Sequence, residues 1–188
     1  MHGSGWAIIL KRTFDFLGAT LGLLVVSPLI LVLAIMIRCS SDGPGIFAQD
    51  RVGRGGRPFR CYKLRTMHAG TPNLPTHEAS VSHITPLGHV LRRTKVDEFP
   101  QLWNVAKGEM SFVGPRPCLP SQTTLVEERR KRGVLALRPG ITGLAQINGL
   151  DMADPRRLAE KDAEYLQTRS FALDMKILLR TLWRVQPG

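Results

Sequence analysis

The sequence predicts an α+β protein, mainly helical, with an N-terminal re-entrant membrane helix-break-helix, a small β-hairpin and amphipathic interfacial helices around a compact core. Three observations support this prediction: a long apolar run containing a Ser-Pro pair, two alternating segments joined by a glycine-rich connection, and helical periodicity through most of the remainder. At 188 residues, the chain is long enough for one domain with a substantial buried core.

The apolar run extends from Phe14 to Ile37, and as a straight helix its 24 residues would reach about 36 Å, enough to cross a hydrocarbon core. The pair Ser27-Pro28 lies near its centre, where proline removes a backbone hydrogen bond and serine can bond to the freed carbonyl. Positive residues flank the run, which favours placing both of its ends on the cytosolic side. We therefore predict a re-entrant hairpin over residues 11–39; a spanning anchor, a buried core helix and a signal peptide are the alternatives.

The rest of the chain is strongly basic. The formal net charge of +11 predicts a polyanionic partner, such as nucleic acid, acidic lipid or a phosphorylated substrate. Residues 1–10 begin with "MHGSG" and are interpreted as a leader or the remnant of an expression tag. Residues 40–188 are predicted to form a domain on the cytosolic face of a membrane, and three widely spaced cysteines indicate free thiols.

The hairpin is predicted from "IFAQ" at 46–49 and "PFRCYKLR" at 58–65, which alternate in polarity and are joined by "DRVGRGG". Before it, "SDGPG" is typical of a turn. After it, residues 70–86 have the composition of a surface loop.

Helices are predicted in the second half of the chain. The first is expected to have Asp97 as its N-cap, to accommodate Pro100 in its first turn and to end at Gly108. Two more are expected at 123–132 and 155–168.

A last helix is predicted over residues 170–185. It combines an apolar stripe that includes Trp183 with basic residues spaced four apart, a composition suited to the headgroup layer of a membrane. An ordinary packing helix is the alternative.

Two adjacent carboxylates, Asp97 and Glu98, lie among cations in "LRRTKVDEFPQLWNVAKGEMSFVGPRP". Such a pair can complement a helix dipole, hold Mg²⁺ or supply a nucleophile. Nearby cations favour phosphate chemistry because they can clamp a diphosphate and keep a carboxylate ionised, although solvated structural charge is the alternative. The cations concerned are Lys63, Arg65, Arg92, Arg93, Lys95, Arg116 and Arg138.

Four motifs occur in a fixed order: "KRTFDFLGATLGLLVVSP", "GPGIFAQDRVGRGGRPFRCYKLRTM", "VDEFPQLWNVAKGEMSFVGPRP" and "LRPGITGLAQINGLD". In these motifs the chain resembles the bacterial sugar transferases known as small monotopic phosphoglycosyl transferases, over nearly all of residues 11–185. The resemblance implies transfer of a sugar 1-phosphate from a UDP-sugar to undecaprenyl phosphate, with release of UMP, at the start of surface glycan assembly. It also implies a monotopic protein on the cytoplasmic face of the bacterial inner membrane, in contact with membrane lipids.

By the same resemblance, Asp97 attacks the β-phosphate and forms a covalent phosphosugar intermediate, which the polyprenol phosphate then attacks. Mg²⁺ is the expected cofactor, held at Asp97 and Glu98, and Ser27-Pro28 matches the family's break in its membrane helix. The residues expected to bind substrate, phosphate or nucleotide are Lys63, Arg65, Arg92, Arg116, Arg138, Thr142, Gln146 and Asn148.

The chain departs from the family pattern in two places. Leu64 stands where phenylalanine is expected, a conservative apolar exchange. After "AQING" many members continue with an arginine-asparagine pair, whereas this chain reads "LDMADPRRLAEKDAEYL". This version is similar to members that use N-acetylated amino sugars, such as UDP-QuiNAc or UDP-GalNAc.

Two other functions are compatible with the composition. A membrane-tethered basic module could bind nucleic acid or anionic lipid, but an aromatic content of 6% leaves few stacking platforms and we expect no nucleic-acid partner. A hydrolase could use the same acid pair with water as the acceptor. No feature of the sequence indicates an oligomeric state.

Overall fold

The computed structural model describes residues 5–71 and 83–184. Within these ranges the chain has the predicted α+β class, with helices dominant and two separate two-stranded sheets. The helices are α1 (Gly5–Ser40), α2 (Pro86–Thr94), α3 (Gln101–Lys107), α4 (Thr123–Lys131), α5 (Leu144–Ile147), α6 (Pro155–Thr168) and α7 (Phe171–Arg184). The strands are β1 (Ile46–Val52), β2 (Pro58–Leu64), β3 (Ser111–Val113) and β4 (Gly140–Thr142).

Helix α1 contains the whole predicted membrane segment and continues through Pro28. Proline has no amide proton, so Pro28 cannot donate the usual helical hydrogen bond to the Leu24 carbonyl. The Ser27 hydroxyl donates to that carbonyl instead, at 3.3 Å. The predicted compensation by serine is confirmed, but the helix is not interrupted at Pro28, and the re-entrant course stays a prediction. Residues 5–10, predicted as leader, belong to α1, and residues 1–4 lie outside the described ranges.

Most of α1 presents apolar side chains outward. Within the described residues it is the helix that is long and apolar enough to cross a membrane. Leu21, Leu24 and Val25, in its middle, are exposed. Exposed apolar surface on this scale is unfavourable in water, so the alternative of a buried core helix does not fit this exposure.

Both ends of α1 nevertheless pack against the same body. Near the N-terminal end, Arg12 donates hydrogen bonds of 2.7 Å to the carbonyls of Val105 and Ala106 at the end of α3. Near the C-terminal end, Ile37 is buried against Leu64 of β2. The exposed apolar middle of α1 therefore lies between two anchored ends.

The predicted hairpin is confirmed. β1 and β2 pair antiparallel, with Ile46 opposite Leu64 and Val52 opposite Pro58. The Val52 amide donates a 2.9 Å hydrogen bond to the Cys118 carbonyl, which joins the hairpin to the chain after the "GPRP" motif. Most of the predicted loop at 70–86 lies outside the described residues.

A second sheet was not predicted. β3 and β4 pair in parallel, with Ser111 opposite Gly140 and Val113 opposite Thr142. Each strand has three residues, too few for an alternating pattern to be recognised. This short sheet joins the "GPRP" motif to "PGITG".

The acid pair lies in a tight turn and not at a simple helix start. After α2, Lys95 adopts a left-handed conformation with φ of 59°, and residues 96–98 form a single 3₁₀ turn before α3. The prediction that Asp97 is the N-cap of this helix is wrong, because Asp97 lies inside the 3₁₀ turn and α3 begins at Gln101, with Pro100 at its N-cap position. The predicted end at Gly108 is confirmed, where a φ of 87° favours glycine.

The predicted helices at 123–132 and 155–168 are confirmed as α4 and α6. They pack together through a core cluster that includes Leu125 and Leu158. Cys118 and Ala145 are buried in the same cluster, so it lies directly beneath the "GPRP" motif.

The predicted C-terminal helix is confirmed as α7. It buries Asp174 and Ile177 against the body and exposes Leu179, Leu182 and Trp183. Its exposed face thus combines apolar side chains with cations, but its contact with a headgroup layer stays a prediction.

A buried ion pair joins the first turns of α1 to α7. The Lys11 ammonium lies 2.6 Å from a carboxylate oxygen of Asp174, which is 3% exposed, and it also donates to the Val113 carbonyl at 3.2 Å. The Tyr165 hydroxyl donates a 2.6 Å hydrogen bond to the other oxygen. The pair therefore holds the N-terminal part of α1 in a fixed position against α7 and β3.

Replacing Lys11→Met should destabilise the fold, because it leaves the buried Asp174 carboxylate without its counter-ion. A loss of about 3 kcal/mol is expected, which lowers the thermal unfolding midpoint in detergent micelles by about 6–12 °C. Lys161→Met is the matched control, since it removes an exposed pair with Glu164 and should leave the midpoint unchanged. Equal midpoints for the two variants would contradict a stabilising role for the Lys11 pair.

Candidate active site

The acid pair is buried at the junction of α2 and α3. Asp97 is 7% exposed and Glu98 is 9% exposed, although both are charged residues in a short turn. Burying carboxylates is unfavourable unless partners compensate, so their contacts indicate what each of them does.

Glu98 is held by two cations at a single oxygen. The Lys63 ammonium and the Arg116 guanidinium each lie 2.9 Å from Glu98 Oε1. Burial by itself would raise the pKa of Glu98, but the charges and hydrogen bonds of Arg116 and Lys63 outweigh burial and hold its pKa well below the ordinary value. Glu98 therefore stays ionised at neutral pH and anchors both cations.

Asp97 has the opposite environment. Its Oδ1 is buried and has no hydrogen-bond partner among the described residues. Burial raises the pKa of Asp97 and the Glu98 charge adds to this effect, while Lys63, Lys95 and Arg92 act against it without reversing it. The cations act in the predicted direction, toward the ionised form, but burial outweighs them, and ionisation of Asp97 at neutral pH stays a prediction.

Arg92 is the third cation beside the acid pair, after Lys63 and Arg116. Its Nε donates a 2.8 Å hydrogen bond to the Thr66 hydroxyl, which orients the guanidinium, and its charge interacts with Asp97. Lys63, Arg92 and Arg116, which the sequence placed together, are thus brought to the acid pair from β2, α2 and the "GPRP" motif.

A second layer of charge lies behind Arg116. Arg129 donates a 2.9 Å hydrogen bond to the Arg116 carbonyl and two more, of 2.9 and 2.7 Å, to one oxygen of Asp162. Arg51 donates to the Pro117 carbonyl at 3.1 Å. Arg129 and Asp162 are each 3% exposed, so they form a buried ion pair that positions the "GPRP" backbone.

Sequence reasoning missed these positioning residues, although a signal was present. Arg129 follows the buried Leu125 by four residues on α4, and Asp162 follows the buried Leu158 by four on α6. Residues four apart share a helix face, so opposite charges on the inward faces of two helices indicate a buried pair.

Two cations predicted at the phosphate site are engaged elsewhere. Arg65 is 7% exposed and donates to the carbonyls of Ile37, Ser41 and Gly43 at the end of α1, as well as to that of Asp42. It follows β2 and stabilises a helix C-terminus, so it does not share the role of Lys63. None of these contacts supports the predicted phosphate contact of Arg65, which stays a prediction.

Arg138 is the second of these cations. Its Nε donates a 2.8 Å hydrogen bond to the Gly108 carbonyl at the far end of α3, and none of its described contacts reaches the acid pair. The prediction that it helps to clamp a diphosphate at the acids is not supported by this position.

The three polar residues expected near the nucleotide lie at the end of β4 and in the segment that follows it. The Thr142 hydroxyl lies 2.7 Å from that of Thr181, Gln146 Nε2 donates to the Ile141 carbonyl at 3.1 Å, and the exposed Asn148 donates to the Leu144 carbonyl at 2.7 Å. The Gly114 amide donates to the Thr142 carbonyl at 2.9 Å, which ties this segment to the chain leading to Arg116. Their nucleotide contacts stay predictions.

The acid pair fits a magnesium ion only in part. Among the described residues, no group of three or more histidine, cysteine or acidic side chains could hold a metal. Mg²⁺ is commonly bound through one or two carboxylates together with substrate phosphates. The partnerless Asp97 Oδ1, with Glu98 beside it, is compatible with that mode.

Comparison with known proteins identifies the family of this chain. The model described as "bacterial sugar transferase" matches residues 6–188. The chain belongs to the bacterial sugar transferase family. The family resemblance based on the four motifs is thereby confirmed.

Three relatives illustrate the range of the family. The UDP-glucose:undecaprenyl-phosphate glucose-1-phosphate transferase of Caulobacter vibrioides is 39% identical over 181 residues, covering 92% of this chain and 68% of that protein. The UDP-N-acetylgalactosamine-undecaprenyl-phosphate N-acetylgalactosaminephosphotransferase of Aeromonas hydrophila is 36% identical, covering 95% of this chain but 44% of that protein. The exopolysaccharide production protein PSS of Rhizobium leguminosarum is 37% identical, with coverages of 93% and 94%.

The low pKa of Glu98 predicts a pH dependence of stability that Glu98→Gln should remove. A carboxylate whose pKa is depressed by folding stabilises the protein above its unfolded pKa, about 4.3, and this stability is lost as the pH falls toward the folded value. The wild type should therefore be more stable than the variant at neutral pH, and the gap should narrow below about pH 4.3. Thermal unfolding in micelles across this range measures the gap; a gap independent of pH would contradict the assignment.

Proposed function

We propose that this protein transfers a sugar 1-phosphate from a UDP-sugar to undecaprenyl phosphate and releases UMP. The observation that carries the proposal is the asymmetry of the acid pair: Glu98 is ion-paired to Lys63 and Arg116, while a buried oxygen of Asp97 has no described partner. The names of the Caulobacter and Aeromonas relatives, which act on undecaprenyl phosphate, support the same reaction class.

Asp97 is the proposed nucleophile. Its carboxylate oxygen forms a bond to the β-phosphorus of the donor, the bond from that phosphorus to the bridging oxygen breaks, and UMP leaves with the electron pair. An oxygen of undecaprenyl phosphate then attacks the same phosphorus, which releases the Asp97 carboxylate and forms the lipid-linked diphosphosugar. The raised pKa of Asp97 suits this role, since a more basic carboxylate is the better nucleophile once it is ionised.

Glu98 is poorly suited to attack, because its Oε1 already accepts from two cations. We assign it the role of holding Lys63 and Arg116 where the two phosphates of the donor would lie. Arg92 adds a third positive charge, and together these groups stabilise the charge that develops during phosphoryl transfer. Magnesium bound at Asp97 and Glu98 would neutralise the diphosphate.

The membrane course proposed for α1 is re-entrant, with both ends on the cytoplasmic face of the bacterial inner membrane. Contacts of Arg12 and Ile37 with one folded body support this arrangement, since a spanning helix would carry one end away from it. The exposed apolar and basic residues of α7 are suited to the same interface. This position presents the acid pair to a lipid phosphate.

The proposed donor is a UDP-sugar. A UDP-linked N-acetylated amino sugar is the more specific form of this proposal. The segment that differs from the family pattern packs Leu150 and Met152 against the cluster beneath Cys118. It can therefore influence the sugar through the position of the "GPRP" motif rather than through those two side chains directly. A panel of UDP-sugars with undecaprenyl phosphate as acceptor tests this specificity.

Asp97→Asn should abolish turnover, because an amide cannot carry the phosphosugar. UMP release with a UDP-sugar panel and undecaprenyl phosphate should fall by at least about 10⁴-fold. Asp50→Asn, which changes an exposed aspartate on β1, is the matched control and should keep wild-type release. Substantial release by Asp97→Asn would remove Asp97 as the nucleophile.

The same assay separates the alternatives. A transferase requires the lipid acceptor for steady turnover and yields a labelled lipid, whereas a hydrolase releases UMP without it. A binding module releases no UMP under either condition.

Thiol labelling tests the course of α1, because Cys39 is exposed while Cys61 and Cys118 are buried. With a membrane-impermeant maleimide, Cys39 of the wild type and the introduced thiol of Trp6→Cys, combined with Cys39→Ser, should both react in inverted vesicles. Neither should react in intact spheroplasts, and solubilised protein gives the total. Reaction of the Trp6→Cys variant from the periplasmic side would show that α1 spans the membrane.

A further inference from the structure

Three arginines from distant parts of the chain converge at the C-terminal end of α3. Arg138 Nε donates a 2.8 Å hydrogen bond to the Gly108 carbonyl, and a β-carbon built on Gly108 would lie 3.0 Å from an Arg12 guanidinium nitrogen. Arg54, in the turn of the hairpin, donates to the Ala136 carbonyl at 3.1 Å, two residues before Arg138. We call Arg12, Arg54 and Arg138 the three-arginine cluster.

The cluster lacks acidic partners. None of its three members forms an ion pair within the described residues. The neighbouring Glu109 is bound to Lys107 and Asn104, and Asp15 accepts the Phe112 amide. The positive charge at this point is therefore left uncompensated.

The surroundings of Arg138 bear on its pKa. Burial lowers the pKa of Arg138, and the charges of Arg54 and Arg12 lower it further, with only a small opposing effect of Asp15. Like charges at such range repel, so the arrangement is stabilised when an anion is bound.

Capping of α3 explains only part of this arrangement. Arg12 uses two donors on the carbonyls of Val105 and Ala106, and Arg138 uses one on Gly108, as expected at a helix C-terminus. Each guanidinium has five N–H donors, so most remain available. The exposed Arg54 caps no part of α3, yet it lies beside them.

The position of the cluster relates it to the membrane. Arg12 lies one turn before Phe16 on α1, and Phe16 lines an apolar groove of about 410 Å³ together with Trp103 of α3. The acid pair precedes the N-terminal end of α3 and the cluster lies at its C-terminal end, so the seven residues of α3, about 10 Å of helix, separate them.

We propose that the three-arginine cluster binds the phosphate group of an anionic phospholipid headgroup, with an acyl chain of that lipid lying along the groove beside α1. Guanidinium groups match phosphate oxygens in charge and in bidentate geometry. A lipid source is favoured over a free phosphate because the groove continues from the cluster with apolar side chains. The site goes beyond the proposed transfer reaction, since its phosphate would lie too far from Asp97 to react.

Lipid binding to the full chain in neutral detergent micelles tests the proposal by native mass spectrometry, with phosphatidylglycerol and phosphatidylcholine as probes. The wild type should retain one phosphatidylglycerol in preference to phosphatidylcholine. Arg54→Gln should weaken this binding about fivefold, as expected for loss of one cation near a lipid phosphate. Arg60→Gln, on the same hairpin, is the matched control, because Arg60 is 71% exposed and faces Asp50.

The outcomes are distinct. Equal retention of both lipids, or equal weakening by Arg54→Gln and Arg60→Gln, would overturn the proposal. Binding of inorganic phosphate or pyrophosphate that depends on Arg54, without binding of phosphatidylglycerol, would assign the site to a free phosphate and would also overturn the lipid source. Arg138→Gln provides a second variant, and unfolding midpoints identify any loss that comes from misfolding. None of these measurements depends on turnover. Failure of the lipid-binding proposal can therefore be distinguished from failure of the proposed transfer reaction.

Discussion

The shared ion pair of Glu98 with Lys63 and Arg116 is the interaction on which the site depends. It brings together a strand, a 3₁₀ turn and a proline-bounded loop that are far apart in the sequence. The position of a buried carboxylate with two cations at one oxygen is far more restrained than that of an exposed pair. Losing either cation would leave a buried charge without compensation, which is strongly unfavourable. The Arg129–Asp162 pair extends this restraint to the backbone of Arg116.

One consequence is that two adjacent carboxylates become chemically different. The partners of Glu98 hold its pKa below the ordinary value, whereas burial raises the pKa of Asp97. Environments that push neighbouring pKa values apart commonly assign distinct roles to paired acids. Here Glu98 binds the cations while a buried oxygen of Asp97 keeps no described partner, which is the asymmetry on which the proposed roles of the two acids rest.

The chain also uses arginine where the apolar helix α1 meets the body. Arg65 binds the carbonyls at the end of α1, while Arg12 extends from α1 to the carbonyls at the end of α3. Helix C-termini carry unsatisfied carbonyls and a partial negative charge. One guanidinium can donate hydrogen bonds to several of these carbonyls at once and complement the charge. Part of the high positive charge of the chain is therefore structural, since it caps helix C-termini. Capping does not explain the uncompensated positive charge at the three-arginine cluster.

Local patterns in the sequence determined the apolar run, the hairpin, the end of α3 at Gly108, and helices α4, α6 and α7, because each depends on neighbours a few residues apart. They also determined that Lys63, Arg92 and Arg116 belong with the acid pair, through motifs whose order the family shares. The short β3–β4 sheet, the Arg129–Asp162 pair and the destinations of Arg65 and Arg138 were decided only in the tertiary structure. A long charged side chain can reach any of several carbonyls or carboxylates, and which one it meets depends on packing between segments that are distant in sequence.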